Sequence, residues 1–456
     1  MSNRPRATLT EGHIGRHLVN LSLPLSWAIM MSMASNFFDV FFVAKLGTNQ
    51  LAALGFSFPV ILFLASMSFG LSNGVVSVAS RALGANRRIR SQRLMRSSLI
   101  LGGLLGLAVC AIGQLLLVPT FKLLGAQAEV LPYIETYMRV WFCSFPFFII
   151  VVVSQSCLRV VGNAKTPSRI MTFSAAVHGC LCPLLVFGYG FIPSLGIQGA
   201  AIAGLITQSV TSVIILVLVN RYGLISRKFG RSRILILWRD LLKIAIPAMG
   251  TSMLGNSINI ILATILAQFG PAVMAAFAVL SRVEAIVFIM MIATSLSLSP
   301  IVGQNWGANL KHRALQAGRL AVIATFVLGF VFAIILAFWG EQFGMFFNKN
   351  PEVIAVMLLY LIFVPFSYPA RACTNYFAAV NNAVGKPLRG TAAMASQVSI
   401  QAGLALIGAA FFGPVGVFAA KFTTNWLVGL TTLVLGDVTG KLWQRGKFVP
   451  LPPNKF

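Results

Sequence analysis

The stretch SNFFDVFFVAKLG, residues 35–47, sets one carboxylate between two pairs of phenylalanines in a chain with only 9 acidic residues among 456. Asp39 lies six residues before Lys45, about 9 Å along a helix at 1.5 Å per residue. If Lys45 marks the edge of a bilayer, the acid is submerged, at a cost of at least about 2.5–3.5 kcal/mol. Ser32, Ser35, Asn36 and Asp39 fall at i, i+3, i+4 and i+7, which makes one polar stripe on an otherwise apolar helix. Such a stripe lines a wet cavity or meets the polar face of another helix. A carboxyl held at depth is a candidate for trading a proton against a cation, and the plainer alternative is a hydrogen-bonded tie between helices.

The composition supports the bilayer. Hydrophobic residues make up 57% and charged residues 10%, with a mean hydropathy of +0.86, more apolar surface than one soluble domain could hide. Runs of about 20 residues with few charges recur, each long enough to cross roughly 30 Å of hydrocarbon as a helix. The short alternating segments of a membrane barrel are not seen. Twelve spans are predicted, at 18–46, 52–80, 97–119, 130–156, 168–188, 196–219, 241–268, 273–302, 318–339, 353–379, 390–411 and 415–437. The fold class is therefore an all-α polytopic membrane protein.

The net charge of +26 reports topology. With the N-terminus inside, the inner segments hold Arg4, Arg6 and Arg16, six arginines in RALGANRRIRSQRLMR (81–96), seven basic residues from Arg221 to Lys243, and further clusters to the C-terminus. The outer side holds Lys45, Lys122 and Lys349. This bias places both termini in the cytoplasm, and no nucleic acid is expected as a partner. The N-terminal MSNRPRATLTEGHIGRH is polar and the first apolar run is too long for a cleavable signal. The six cysteines lie in apolar spans without paired extracellular spacing, so neither disulfides nor a zinc site is expected. No metal or cofactor is expected, and no nucleophile–base pairing or phosphate-cradling loop points to an enzyme.

A repeat organises the chain. At a constant shift of 223 residues Pro24 matches Pro247, Asn36 matches Asn259, Gly47 matches Gly270, and Gly84-Ala85-Asn86 matches Gly307-Ala308-Asn309. Further on, GNAKTP (162–167) corresponds to NAVGKP (382–387) and LGIQG (195–199) to FGPVG (412–416). Two copies of a six-helix unit follow. Six is even, so both enter from the same side and are parallel repeats, with a substrate site expected between them. The predicted division is an N-lobe at 1–220, a cytoplasmic linker at 221–240, a C-lobe at 241–440 and a tail at 441–456.

The repeat also exposes an asymmetry. The partner of Asp39 is Leu262, while Ser252, Asn256 and Asn259 keep a neutral polar stripe on span 7. Glu284, early in span 8, is the other acid at depth, and Arg139, Arg371 and Lys421 are cations there. Glu284 either pairs with Arg371 or Lys421 inside the second half, or forms a second coupling site or an anion-attracting wall. His178, within span 5, is either a proton relay or a partner for a backbone carbonyl. Pro24 and Pro247, early in spans 1 and 7, favour kinks.

These residues carry a family resemblance. LSLP (21–24), an Asp fifteen residues later, LGTNQLAALG (46–55) and RALGAN (81–86), repeated as IAIP, QFGPAVMAAF and GQNWGAN, resemble the multidrug and toxic compound extrusion (MATE) family from Leu18 to Asp437. The resemblance implies two six-helix lobes around a V-shaped cleft. It also implies an inner-membrane antiporter that expels cationic or amphipathic compounds in exchange for protons or sodium. Asp39 matches the acid of span 1 in the DinF-like bacterial branch, where bending at the position of Pro24 is proposed to squeeze the substrate site. In that branch span 5 often carries Asn and Asp-Pro; here VHGCLCPLL puts His178 and Cys182 at those places. The acids that the NorM-like branch carries on spans 7 and 10 are missing, which favours a proton site in the first lobe.

The expected coupling residues are thus Asp39, Asn36 and His178. The expected cleft residues are Ser32, Ser35, Phe38, Cys182, Asn256, Asn259, Glu284 and Arg371, with Pro24 and Pro247 as kinks. The partners are small-molecule substrates, a proton (sodium as the alternative) and the lipid bilayer, and the chain is expected to act as a monomer. A flippase for a lipid-linked or anionic amphipathic substrate is the alternative, since Arg371 and Lys421 could grip phosphate.

Overall fold

Long apolar runs become long helices, and the computed structural model shows them over residues 6–190, 193–226, 234–347 and 350–444. The linker residues 227–233 and the tail from 445 onward lie outside the described residues. In order, the helices are α1 (Ile14–Ala44), α2 (Thr48–Gly84), α3 (Arg88–Leu123), α4 (Leu131–Val160), α5 (Lys165–Phe187), α6 (Ile197–Arg221), α7 (Ile234–Leu266), α8 (Pro271–Gly307), α9 (Lys311–Phe347), α10 (Pro351–Phe363), α11 (Tyr368–Ala383) and α12 (Pro387–Gln444). Two irregularities relate these helices to the twelve predicted spans. The tenth span is α10 and α11 together, broken at a turn of 3-10 helix, Val364–Ser367. The eleventh and twelfth are the two limbs of α12, which turns at Gly413. Prolines at 365 and 369 remove the amides that would have carried the helix through the first break.

The repeated LGIQG and FGPVG motifs have one physical cause. Gly196 and Gly413 both adopt positive φ, 56° and 61°, which other residues reach only with strain. Three residues on, a Cβ on Gly199 would strike the Leu185 carbonyl, and one on Gly416 would strike the backbone of Gly408. Each motif turns the chain and lets the following helix lie against the preceding one. RALGAN and GQNWGAN likewise end α2 and α8 on an asparagine in the left-handed region, Asn86 and Asn309.

The chain forms two compact units. Unit 1 takes the chain up to Thr8 together with Leu23–Met249, and unit 2 takes Leu9–Ser22 together with the chain from Gly250. The divides at 22–23 and 249–250 fall beside the repeat prolines Pro24 and Pro247. The first turns of α7 therefore pack in unit 1, where Leu241, Ile244 and Ala245 join a core with Val75, Leu94, Val153 and Ile215. Gly70 and Gly74 on α2 make room for them: a Cβ on Gly74 would lie 2.9 Å from the Leu241 carbonyl, and one on Gly70 2.8 Å from that of Ala245. Lipid is as apolar as leucine, so helices in a bilayer associate through this kind of close packing. Asp240 pairs with Arg90 at 3.1 Å, and Arg96 donates to the Ser226 carbonyl at 2.8 Å, tying the arginine-rich connection to the residues that lead into α7.

Unit 2 holds the N-terminal segment in the corresponding way. Buried Gln304 accepts from the Leu9 amide at 2.9 Å. Asn305 donates to the Leu9 carbonyl at 3.0 Å, and Arg313 donates to the Gly12 carbonyl at 2.8 Å. The break between α10 and α11 is braced by Gln397, whose amide donates to Asn425, and by Asn425, which donates to Ser367, both at 2.8 Å.

Close packing at Gly70 sets an expected outcome. Gly70→Ala lowers the thermal stability of the detergent-solubilised protein by about 1–3 kcal/mol through overpacking. Gly103→Ala, which has nothing within 4 Å of its new methyl, leaves stability unchanged or slightly raised.

Candidate coupling site

Asp39 meets span 5. His178 Nε2 and Asp39 Oδ1 are 2.8 Å apart, and Cys182 Sγ donates toward the same oxygen at 3.5 Å. His178 and Cys182 are four apart on α5, hence on one face, and that face is turned to α1. The imidazole has a second hydrogen-bonding partner in the backbone of Ala203 on α6. Next to His178, Gly179 leaves space for the Phe38 ring, whose edge would lie 2.8 Å from an added Cβ. The buried phenol of Tyr137 on α4 lies within the electrostatic reach of Asp39.

Burial grades the trio. The His178 side chain is 5% exposed and that of Asp39 19%, while Cys182 is fully buried. The carboxyl is thus held by neighbours on one side and open on another. Cys182, expected on the cleft wall, instead packs in an interior cluster with Phe142, Phe145 and Val186 and touches the acid, because its position on the His178 face points it inward.

The stripe of α1 serves more locally. Asn36 donates to the Ser32 carbonyl at 3.1 Å and Ser35 to the Met31 carbonyl at 3.3 Å, so both bond within their own helix one turn back. Asn36 and Ser32 are exposed, as are Asn256 and Asn259 on α7.

Three donor atoms of Asp39, His178 and Cys182 lie within 4.8 Å of one another, a spacing that a metal ion could use. Two ligands on one tetrahedral zinc ion stand about 3.3 Å apart with bonds near 2 Å. Nε2 and Oδ1 are closer than that, at the distance of a shared proton.

In unit 2 the open alternatives for Glu284 reduce to one. Lys421 Nζ donates to Glu284 Oε2 at 2.7 Å, with side chains 7% and 12% exposed. The ammonium also lies 5.4 Å from the Tyr360 ring, and the buried Tyr360 and Tyr368 surround the pair. Arg371 forms no ion pair among the described residues; its guanidinium donates to the Met394 thioether at 3.5 Å. Sequence reading missed Tyr137, Tyr360 and Tyr368. Tyr137 and Tyr360 stand in apolar helices and Tyr368 at the start of α11; only the position opposite an acid marks each.

Twelve apolar spans in two repeats, with ionisable side chains paired at depth, define a polytopic membrane transporter. The chain belongs to the MatE family: residues 24–184 and 247–407 each match the MatE family model, two stretches offset by the same shift that aligns Pro24 with Pro247. It is 32% identical over 437 residues to a FAD transporter of Shewanella oneidensis, covering 95% of this chain and 97% of that one. It is 24% identical to the probable multidrug resistance protein YoeA of Bacillus subtilis, over 71% of each chain. Its fold is similar to the crystal structure of the Vibrio cholerae MATE transporter VcmN in the bent form, with a TM-score of 0.89, 25% identity, and coverage of 94% of this chain and 97% of that one.

The Glu284–Lys421 pair sets a stability test. Glu284→Gln leaves a buried ammonium uncompensated and lowers stability by about 3–5 kcal/mol. Adding Lys421→Met to that variant restores most of the loss in a thermal-denaturation assay, because the stranded charge is gone.

Proposed function

We propose that the protein is a secondary active antiporter of the inner (plasma) membrane, both termini cytoplasmic, that exports amphipathic organic compounds in exchange for protons. The observation that carries the reading is the bond between Asp39 and His178 at membrane depth. Ala203 lies inside α6, so its amide is used by the helix, while its carbonyl keeps a second lone pair that can accept from the imidazole. With Nδ1–H donating to that carbonyl, Nε2 either accepts from a protonated Asp39 or, itself protonated, donates to the carboxylate. Both arrangements hold one extra proton, shared by the pair. When the proton leaves, a neutral imidazole has one N–H for two acceptors and must give up one bond.

Proton release thus loosens either α1 from α5 or α5 from α6. Pro24, beside the point where α1 passes between the units, gives the first helix a place to bend. Substrate binds better in one of the two protonation states, and that difference drives exchange. Nitrogen and sulfur donors suit a proton better than sodium, since hard cations take oxygen ligands.

A second reading concerns the substrate. Similarity to a FAD transporter favours an anionic amphipathic compound beside the cationic drugs expected from the multidrug relatives. An imposed pH gradient in proteoliposomes should drive export, and an imposed sodium gradient should not. Asp39→Asn should abolish the pH-driven component while still inserting, and His178→Gln should displace its pH dependence. Unchanged efflux by Asp39→Asn would refute the assignment.

A further inference from the structure

Unit 2 gathers more positive than negative charge in its interior. Glu284 is committed to Lys421 at 2.7 Å, and the buried Tyr360 and Tyr368 close round that pair. Lys421 is thereby neutralised, and the expectation that it grips phosphate passes to its neighbour. Arg371 stands close enough to feel the Glu284 carboxylate yet forms no ion pair with it or with any other described acid. Its hydrogen-bond contact, Met394 Sδ at 3.5 Å, is a weak acceptor facing a group with five N–H donors. The residue as a whole is half-buried.

A guanidinium in a bilayer without a counter-charge is costly, and such groups mark substrate or ion pathways. Two local features set the field around this one and its position. The Pro365–Pro369 break starts α11 at Tyr368, which puts Arg371 in the first turn, at the positive end of the helix dipole. The network of Gln397, Asn425 and Ser367 braces the break itself.

We propose that Arg371 is an anion receptor of the transporter, taking the phosphate or carboxylate of an organic anion through its planar fork, while Glu284 and Lys421 form the neutral floor of the site. This rests on the transport reading, but not on proton coupling.

Equilibrium binding to the full chain in detergent tests it apart from transport. The probes are flavin adenine dinucleotide, followed by its own fluorescence, riboflavin, which has the same ring without phosphate, and ethidium, a cation. The wild type should bind the dinucleotide about tenfold more tightly than riboflavin, the scale of a lost charge-assisted hydrogen bond, with a preference that falls in salt. Arg371→Gln should erase that preference and leave ethidium binding unchanged; Arg371→Lys, which keeps charge and fold, should retain part of it. Equal binding of the two flavins by the wild type would overturn the proposal. So would an equal loss of dinucleotide and ethidium binding in Arg371→Gln, or a Lys variant no better than the Gln variant at restoring the flavin preference. A failure of Asp39→Asn to affect pH-driven export would count against the coupling reading alone.

Discussion

A hydrogen bond between a carboxylate on the first helix and an imidazole on the fifth, within a helix bundle built for lipid, is the contact on which the functional reading depends. Asp39 is expensive in that position, and His178, Cys182 and the nearby Tyr137 are what make it tolerable. A carboxylate supported only by neutral groups would be a tie. One bonded to an imidazole that also bonds a neighbouring helix links a proton to the packing of three helices. The 19% of the side chain left open is the part of this arrangement that a mere tie would not need.

The backbone around it carries prolines at corresponding places in the two repeats. Both repeats put a proline where the contacts of the chain change unit, at 22–23 and at 249–250. Ahead of each of these points the packing is tight: Gly70 and Gly74 seat the start of α7, and Gln304 and Asn305 hold the N-terminal segment. On the proposed assignment, a helix clamped at one end with a missing amide beyond the clamp bends at that turn.

Much of the fold was legible in the residues, because it rests on local and periodic signals. Apolar runs mark the spans, and the shift from Pro24 to Pro247 marks the repeat. The turns at Gly196 and Gly413 fall in repeated motifs at the junctions of predicted spans, whereas the break at Val364–Ser367 lies inside the predicted span 353–379 and was not read. The passage of 9–22 into unit 2 was not. It depends on Gln304 and Asn305 bonding a backbone some three hundred residues away, and spacing carries no trace of that. The site was legible in part. Asp39 stood out as a submerged acid, and His178 as a histidine within a span. Their bond, and the inward position of Cys182, follow from which face α5 turns to α1. The partner of Glu284 was left open between two cations because both lie at similar depth; only the fold selects Lys421.

The two repeats have kept one architecture and diverged in charge. The first has an acid where the second has Leu262, and the second has a sealed ion pair and an unpaired guanidinium. On the proposed assignment, one unit handles the proton and the other attracts the cargo. The most direct test of the proton's place is made on purified protein in weakly buffered detergent, with a pH indicator following the addition of a transported compound. The wild type should exchange protons with the solution as the compound binds, and Asp39→Asn should not. No proton change in the wild type, or the same change in the variant, would contradict the central claim.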